Sequence, residues 1–201
     1  MAKLYFRYGA MNSGKSTALM QVAHNYEEQG MRVLILKPKV DTKGSGDLVS
    51  RLGVRRPADL LVPPDMDLVE AVRAASSEGR PLACVLCDES QFLTAEQAEQ
   101  LFMVTVELNI PVICYGLRAD FKGELFEGSY HLLVLADKLE EVKTICWCGK
   151  KAAFNARFDD TGHVVKEGAQ VVLGANDKYI GLCRRHWMAG DLGPDFDIHA
   201  L

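Results

Sequence analysis

Residues 9–17 read GAMNSGKST, and Gly9, Gly14, Lys15 and Ser16 fit the pattern G-x-x-x-x-G-K-S/T. Glycines at both ends let backbone N–H groups turn inward around phosphate oxygens, and a following helix adds its positive N-terminal end. Lys15 suits the outer phosphates of a nucleoside triphosphate, and the Ser16 hydroxyl suits its Mg²⁺. Gly9, Ala10, Met11, Asn12, Ser13, Gly14, Lys15 and Ser16 are therefore the expected cradle for ATP. An acidic pair, Asp88 and Glu89, ends the apolar run LACVLC, and Ser90 and Gln91 follow it. Acids at the carboxyl end of a buried strand face the ligand crevice of an open α/β sheet. Asp88 suits the Mg²⁺ shell beside Ser16, and Glu89 can take a proton from an attacking hydroxyl or water. A plain solvated acid is the alternative for either residue.

A second set of residues carries metal chemistry. Cys146 and Cys148 flank Trp147, and Cys183 and His186 sit in CRRH. Three thiols and an imidazole suit tetrahedral Zn²⁺, and four protein ligands leave no open position, so such a zinc is structural. The first pair is C-x-C, shorter than the usual C-x₂₋₄-C, and free surface thiols are the alternative. The 34 residues between the pairs, 149–182, are polar and glycine-rich. A metal at the base of such a loop fixes its ends without a core of its own. Cys84 and Cys87 form a C-x-x-C inside an apolar run. Residues three apart on a strand point to opposite faces, so these read as buried small hydrophobes, and Cys114 reads the same way.

These groups need a frame. KLYFRYG before the glycine-rich turn reads as a strand, and the segment after it keeps helical spacing at Ala18, Leu19, Val22, Ala23 and Tyr26. RVLILKP, PLACVLCDE and IPVICYGL read as buried strands. Residues 67–78 read as a helix, and Thr94 caps another that follows it. Residues 39–66 hold three glycines and three prolines and read mainly as loop. The fold class is α/β, a mostly parallel phosphate-loop sheet flanked by helices, with a small C-terminal zinc-stabilised domain. The expected division is 1–141, 142–187 and a flexible tail 188–201.

With 23 basic and 27 acidic residues the net charge is −4, which argues against nucleic acid or an anionic membrane as partner. No apolar run is long enough to cross a bilayer, and MAKLYFRYG lacks a signal peptide's apolar core. The expected location is the cytoplasm, where cysteines serve more often as metal ligands or buried thiols than as disulfides. A nucleic-acid-dependent ATPase with a zinc ribbon and a non-catalytic nucleotide-binding module are competing readings.

GAMNSGKST, DESQF, YGLRADFKGELF, CWCG, LGANDKY and CRRH occur in this order, and together they resemble the type II thymidine kinases. The resemblance spans about residues 3–187. It implies ATP-dependent phosphorylation of the thymidine 5′-hydroxyl, with Glu89 as general base and Mg²⁺ on Ser16 and Asp88. It implies nucleoside contacts at Met11, Phe92, Leu117, Phe121, Phe126 and Asn155, with Phe121 stacked on thymine. A closing loop, the lasso, would add Gln170, Val171, Val172, Leu173, Gly174 and Tyr179. The family's zinc ligands fall on Cys146, Cys148, Cys183 and His186. A homotetramer and feedback inhibition by thymidine triphosphate are further implications. The chain departs from the family at Lys43, where the family has arginine, and a lysine offers no bidentate fork. Lys43 and Arg51 are therefore the two candidate phosphate contacts.

Overall fold

A computed structural model describes residues 1–40, 46–50, 53–171 and 178–196. The elements in chain order are β1 (Leu4–Tyr8), α1 (Lys15–Glu28), β2 (Arg32–Pro38), β3 (Asp47–Val49), β4 (Arg55–Pro57), β5 (Leu60–Val62), α2 (Leu68–Ser77) and β6 (Leu82–Cys87). They continue with α3 (Ala95–Glu107), β7 (Val112–Gly116), α4 (Glu127–Leu135), β8 (Lys138–Glu141), β9 (Thr144–Ile145) and β10 (Lys151–Ala152). The last are β11 (Phe154–Phe158), β12 (Val164–Val165), β13 (Lys178–Leu182) and α5 (Arg184–Ala189).

The main sheet has the order β5-β2-β6-β7-β1-β8 among the described residues, and all its pairings are parallel. Its inner strands β2, β6 and β7 are buried on both faces, and from Val33, Cys84 and Val112 onward their residues alternate between two cores. Val33, Ile35, Cys84, Leu86, Ile113 and Tyr115 pack with Leu19, Met20 and Ala23 of α1. Leu34, Leu36, Val85, Cys87, Val112 and Cys114 pack with α2, α3 and α4 through Leu68, Val72, Leu101, Val104 and Leu132. This period of two is what makes the strands read as continuous apolar runs. Cys84 and Cys87 lie on opposite faces as small core residues, and burial pushes the Cys84 thiol up to about 12.

Thr94 caps α3 with a full capping box: its hydroxyl accepts from Gln97 N–H, and the Gln97 side chain accepts from Thr94 N–H. Asp67 caps α2 through Glu70 N–H. Four strands of the main sheet match the apolar runs, and two do not. β5 lies inside the stretch expected to be mainly loop, where β3 and β4 also pair as a hairpin. β8 is the polar run Lys138–Glu141 on the sheet edge. An edge strand carries no continuous apolar signal, because one side meets water.

A second unit follows β8. β11 pairs with β12 and β13 in an antiparallel three-stranded sheet, and β9 pairs with β10. Ala156, Phe158, Leu182 and Leu192 form its core with Cys146 and Cys183. The stretch read from sequence as a tail is packed as far as Phe196, whose ring meets Phe158 edge-on at 4.8 Å. Residues 197–201 lie outside the described residues. Among the described residues no helix is long and apolar enough to cross a membrane.

α4 starts at an unusually close contact. A Cβ on Gly128 would lie 2.5 Å from Ser90 O and 2.8 Å from Leu93 O. These are backbone atoms with little freedom to retreat. Alanine's helical advantage of about 1 kcal/mol is smaller than the overpacking it causes. Gly128→Ala should destabilise the protein by about 2 kcal/mol net, lowering Tm by about 4–8 °C. A calorimetric scan showing equal or higher Tm would contradict this packing.

Candidate active site and metal centre

β1 delivers the chain into a tight loop, and α1 begins at Lys15. Gly14 takes φ +83° and Asn12 φ +62°, the left-handed region that bends the loop back on itself. Gly9 has no room for a side chain: a Cβ there would lie 2.5 Å from both Ser13 Oγ and Val142 O. The first turn of α1 carries no acid, so its positive end is uncancelled. Lys15 is buried, and its Nζ donates to Ala10 O at 2.8 Å and Ser13 Oγ at 3.4 Å. Burial lowers its pKa, and the nearby Glu89 and Asp88 carboxylates oppose that shift. The lysine thus turns back onto its own loop in the space a phosphate would share.

β6 carries the acids to the same place. Asp88 is 3% exposed, its N–H donates to Leu36 O, and its carboxylate accepts from the Ser16 hydroxyl. Burial, and then the adjacent Glu89, push its pKa up to about 6, against the Ser16 hydrogen bond and the Lys37 charge. Lys37, at the end of β2, went unremarked in the sequence; its position at a carboxyl strand end was the available signal. The Ser16 hydroxyl and Asp88 carboxylate are hard oxygen donors in contact, which fits Mg²⁺.

Glu89 sits in the left-handed region at φ 49°, ψ 37°, costly for a residue with a Cβ. The following turn, Ser90–Phe92, holds it there. Ser90 Oγ donates to Tyr115 O at 3.0 Å, and Gln91 Oε1 accepts from Leu117 N–H at 3.0 Å. The other end of that carboxamide, Gln91 Nε2, donates to Glu89 Oε2 at 2.6 Å. β7 lies between β6 and β1, so the acids and the phosphate loop meet across an intervening strand. At the crossing stands Gly116, whose O accepts from Gly9 N–H. A Cβ on Gly116 would lie 2.8 Å from both Gln91 Oε1 and Ser90 Oγ.

The turn that holds Glu89 ends at Phe92, which pairs with Phe126. Leu117, Phe121 and Phe126 are buried, and Phe92 meets Phe126 edge-on at 5.7 Å. The Arg157 guanidinium lies 5.3 Å from the Phe121 ring centroid. Asn155 reaches the phosphate loop from the second unit: its Oδ1 accepts from Met11 N–H at 2.7 Å, and its Nδ2 donates to Ala119 O at 3.0 Å. Both ends of that amide are thus engaged by backbone. Gly181, opposite Asn155 in the β11–β13 register, faces Ala10 and Met11 as well. Gln170 donates to Asp120 Oδ2 and Leu125 O, which ties this part of the second unit to the turn that carries Phe121. Val171 is half-buried, and Tyr179 lies opposite Arg157 on β13. Lys43, Arg51, Val172, Leu173 and Gly174 lie outside the described residues.

The metal-ligating atoms of Cys146, Cys148, Cys183 and His186 all lie within 4.8 Å of one another. Cys146 Sγ and His186 Nδ1 are 3.3 Å apart, Cys183 Sγ and His186 Nδ1 3.5 Å, and Cys148 Sγ and Cys183 Sγ 3.9 Å. Zn–S bonds of about 2.3 Å in a tetrahedron set sulfurs about 3.8 Å apart, which fits this cluster. A disulfide, with S–S of about 2.05 Å, does not. The knuckle turns at Gly149, φ +80°, where Gly149 N–H donates to Cys146 O and Cys146 N–H to Lys150 O. Cys183 is the N-cap of α5, which places His186 one turn later. The Trp147 ring stacks on His186 at 4.2 Å.

Asp88 gives a pH prediction. Its folded pKa, about 6, is above the ordinary value near 3.8, so the folded state holds the proton more tightly than the unfolded chain. This group therefore withdraws stability from the ligand-free protein as pH rises through that window. Asp88→Asn should raise Tm at pH 7 in a metal-free buffer and give no gain at pH 4. A Tm at pH 7 below that of the unaltered protein would contradict the assignment.

The comparisons with known proteins agree with this geometry. Residues 2–187 match the family model described as thymidine kinase. The chain is 50% identical over 188 residues to the thymidine kinase of Salmonella paratyphi A, covering 93% of this chain and 91% of that protein. It is 48% identical over 196 residues to the thymidine kinase of Ruegeria pomeroyi, covering 96% and 98% of the two chains. The Shewanella oneidensis thymidine kinase is 49% identical over 188 residues, 93% and 97% of each. By this match along nearly its whole length, the chain belongs to the thymidine kinase family and is a kinase.

Proposed function

We propose that the protein transfers the γ-phosphoryl group of ATP to the 5′-hydroxyl of thymidine, giving thymidine monophosphate and ADP. The observation that carries this is the meeting of Lys15, Ser16, Asp88 and Glu89, with the Phe92–Phe126 pair on the turn that follows. The identity of about half to proteins named thymidine kinase supports the acceptor.

The phosphate loop and the N-terminus of α1 hold the triphosphate, and Lys15 turns from Ala10 O to the outer phosphates. Ser16 and Asp88 would hold Mg²⁺, which when bound neutralises charge on the transferring group. Glu89 accepts the 5′-hydroxyl proton while that oxygen bonds to the γ-phosphorus. The bond from the γ-phosphorus to the bridging oxygen breaks, and the electron pair leaves on ADP. Gln91 fixes the Glu89 carboxylate through the 2.6 Å hydrogen bond. Phosphoryl transfer is mainly positioning and charge stabilisation, so Glu89 need not be a strong base.

Phe121, Leu117, Phe126, Phe92 and Met11 form the base pocket in this reading. A buried thymine methyl contributes only about 0.8 kcal/mol, so discrimination against uracil is modest unless other contacts add to it. The four metal ligands would hold a structural Zn²⁺ that ties both ends of 149–182, the segment that closes over the nucleoside. Closure excludes the water that would otherwise take the phosphoryl group.

Two variants test the reading in a coupled ADP-release assay with and without thymidine. Glu89→Gln keeps the size of the side chain, so it should lower kcat at least about 100-fold while leaving ATP binding within about threefold. An unchanged rate removes Glu89 from its role. Cys146→Ser should lower bound zinc below one per chain and weaken thymidine use more than ATP binding. Stoichiometric zinc with unchanged thymidine KM would remove the metal from lasso closure.

A further inference from the structure

Trp187 is one residue past the metal ligand His186, on α5, and its indole N–H is engaged by backbone outside the metal cluster. Its Nε1–H is shared between two backbone carbonyls, Phe121 O at 3.1 Å and Asn155 O at 3.0 Å. These acceptors belong to different units. Phe121 lies in the turn after β7, and Asn155 lies on β11. The indole ring is stacked and has room beside it. It stacks on Phe154 at 4.8 Å and 23°, and Gly123 leaves it space, since a Cβ there would lie 3.4 Å from the ring. Trp187 N–H donates to Cys183 O, so the ring is anchored in the same turn that carries the ligands Cys183 and His186.

The two acceptors lead to the two halves of the site. The Phe121 carbonyl fixes the backbone of the buried ring assigned to the base pocket. The Asn155 carbonyl fixes the strand whose carboxamide holds Met11 N–H in the phosphate loop and Ala119 O before Phe121. One N–H therefore joins the metal-anchored helix to both substrate-facing segments. A tryptophan present only to fill space would not need both carbonyls within hydrogen-bond reach of one nitrogen.

We propose that Trp187 is a positioning residue: its shared indole N–H locks the Phe121 backbone to the metal-anchored helix and so sets the nucleoside pocket. The proposal rests on the reading of Phe121 as part of that pocket. Without the donor, two part-buried carbonyls lose their partner, and the turn carrying Phe121 is free to shift. The phosphate loop keeps its own glycine turns and Lys15, so ATP is affected less.

Steady-state kinetics and zinc content on the full chain with its zinc test this. Trp187→Phe keeps an aromatic ring against Phe154 and removes the N–H. The expected result is stoichiometric zinc, a thymidine KM raised about tenfold, an ATP KM within about threefold, and kcat changed less than thymidine KM. An unchanged thymidine KM overturns the proposal, whatever happens to Tm. If Trp187→Phe loses zinc, the decision passes to benzothienylalanine at position 187, which keeps the bicyclic ring and lacks the N–H. With that residue a raised thymidine KM supports the role, and an unchanged one ends it. Phe121→Ala separates the two readings. If it leaves thymidine KM alone, the pocket assignment fails; if it raises KM while Trp187→Phe does not, only the positioning role fails. Combining both changes should give less than the product of the single effects, because they act through one residue.

Discussion

The site depends on one close approach. The acids of β6 and the phosphate loop after β1 are separated in the sheet by β7, and they meet because β7 ends in Gly116. Any side chain there would collide with Ser90 Oγ and Gln91 Oε1, the two groups that hold Glu89 in its left-handed conformation. Gly9 and Gly128 repeat the device on either side. Three absent side chains let neighbouring segments approach closely, and the sheet's two apolar cores supply the rigidity that keeps them there.

The resulting centre gathers buried charges of both signs. Asp88 is buried beside Glu89 and its pKa is raised, while Lys15 is buried and rests on a carbonyl of its own loop. A triphosphate and a divalent cation would supply the complementary charges of both signs. Strain at Glu89 and the raised pKa at Asp88 are what a protein accepts at a working site when the fold around it overdetermines the geometry.

Local chemistry was legible in the sequence; close approach was not. The phosphate loop reads plainly because all its residues lie within nine positions, and strand and helix flank it. The Cys₃His set reads because each pair is tight, although 34 residues separate the pairs. The buried strands read because both faces are apolar. The polar edge strand β8 carries no such run, and β5, only Leu60–Val62, is too short to stand out. The meaning of Gly116 and Gly128 is tertiary, and so is that of Asn155, which grips a residue 144 positions away. Trp187 carries no such local signal, since its hydrogen-bond partner Phe121 is 66 residues distant.

The central claim is that the phosphate centre and the side chains of Phe92, Phe121 and Phe126 form one site for phosphoryl transfer to a nucleoside. The most direct test is a single turnover with γ-labelled ATP, Mg²⁺ and enzyme in excess, with the labelled product identified. The account predicts label in thymidine 5′-monophosphate, with one ADP per label and little inorganic phosphate. Label released as inorganic phosphate at the same rate with or without thymidine would contradict it.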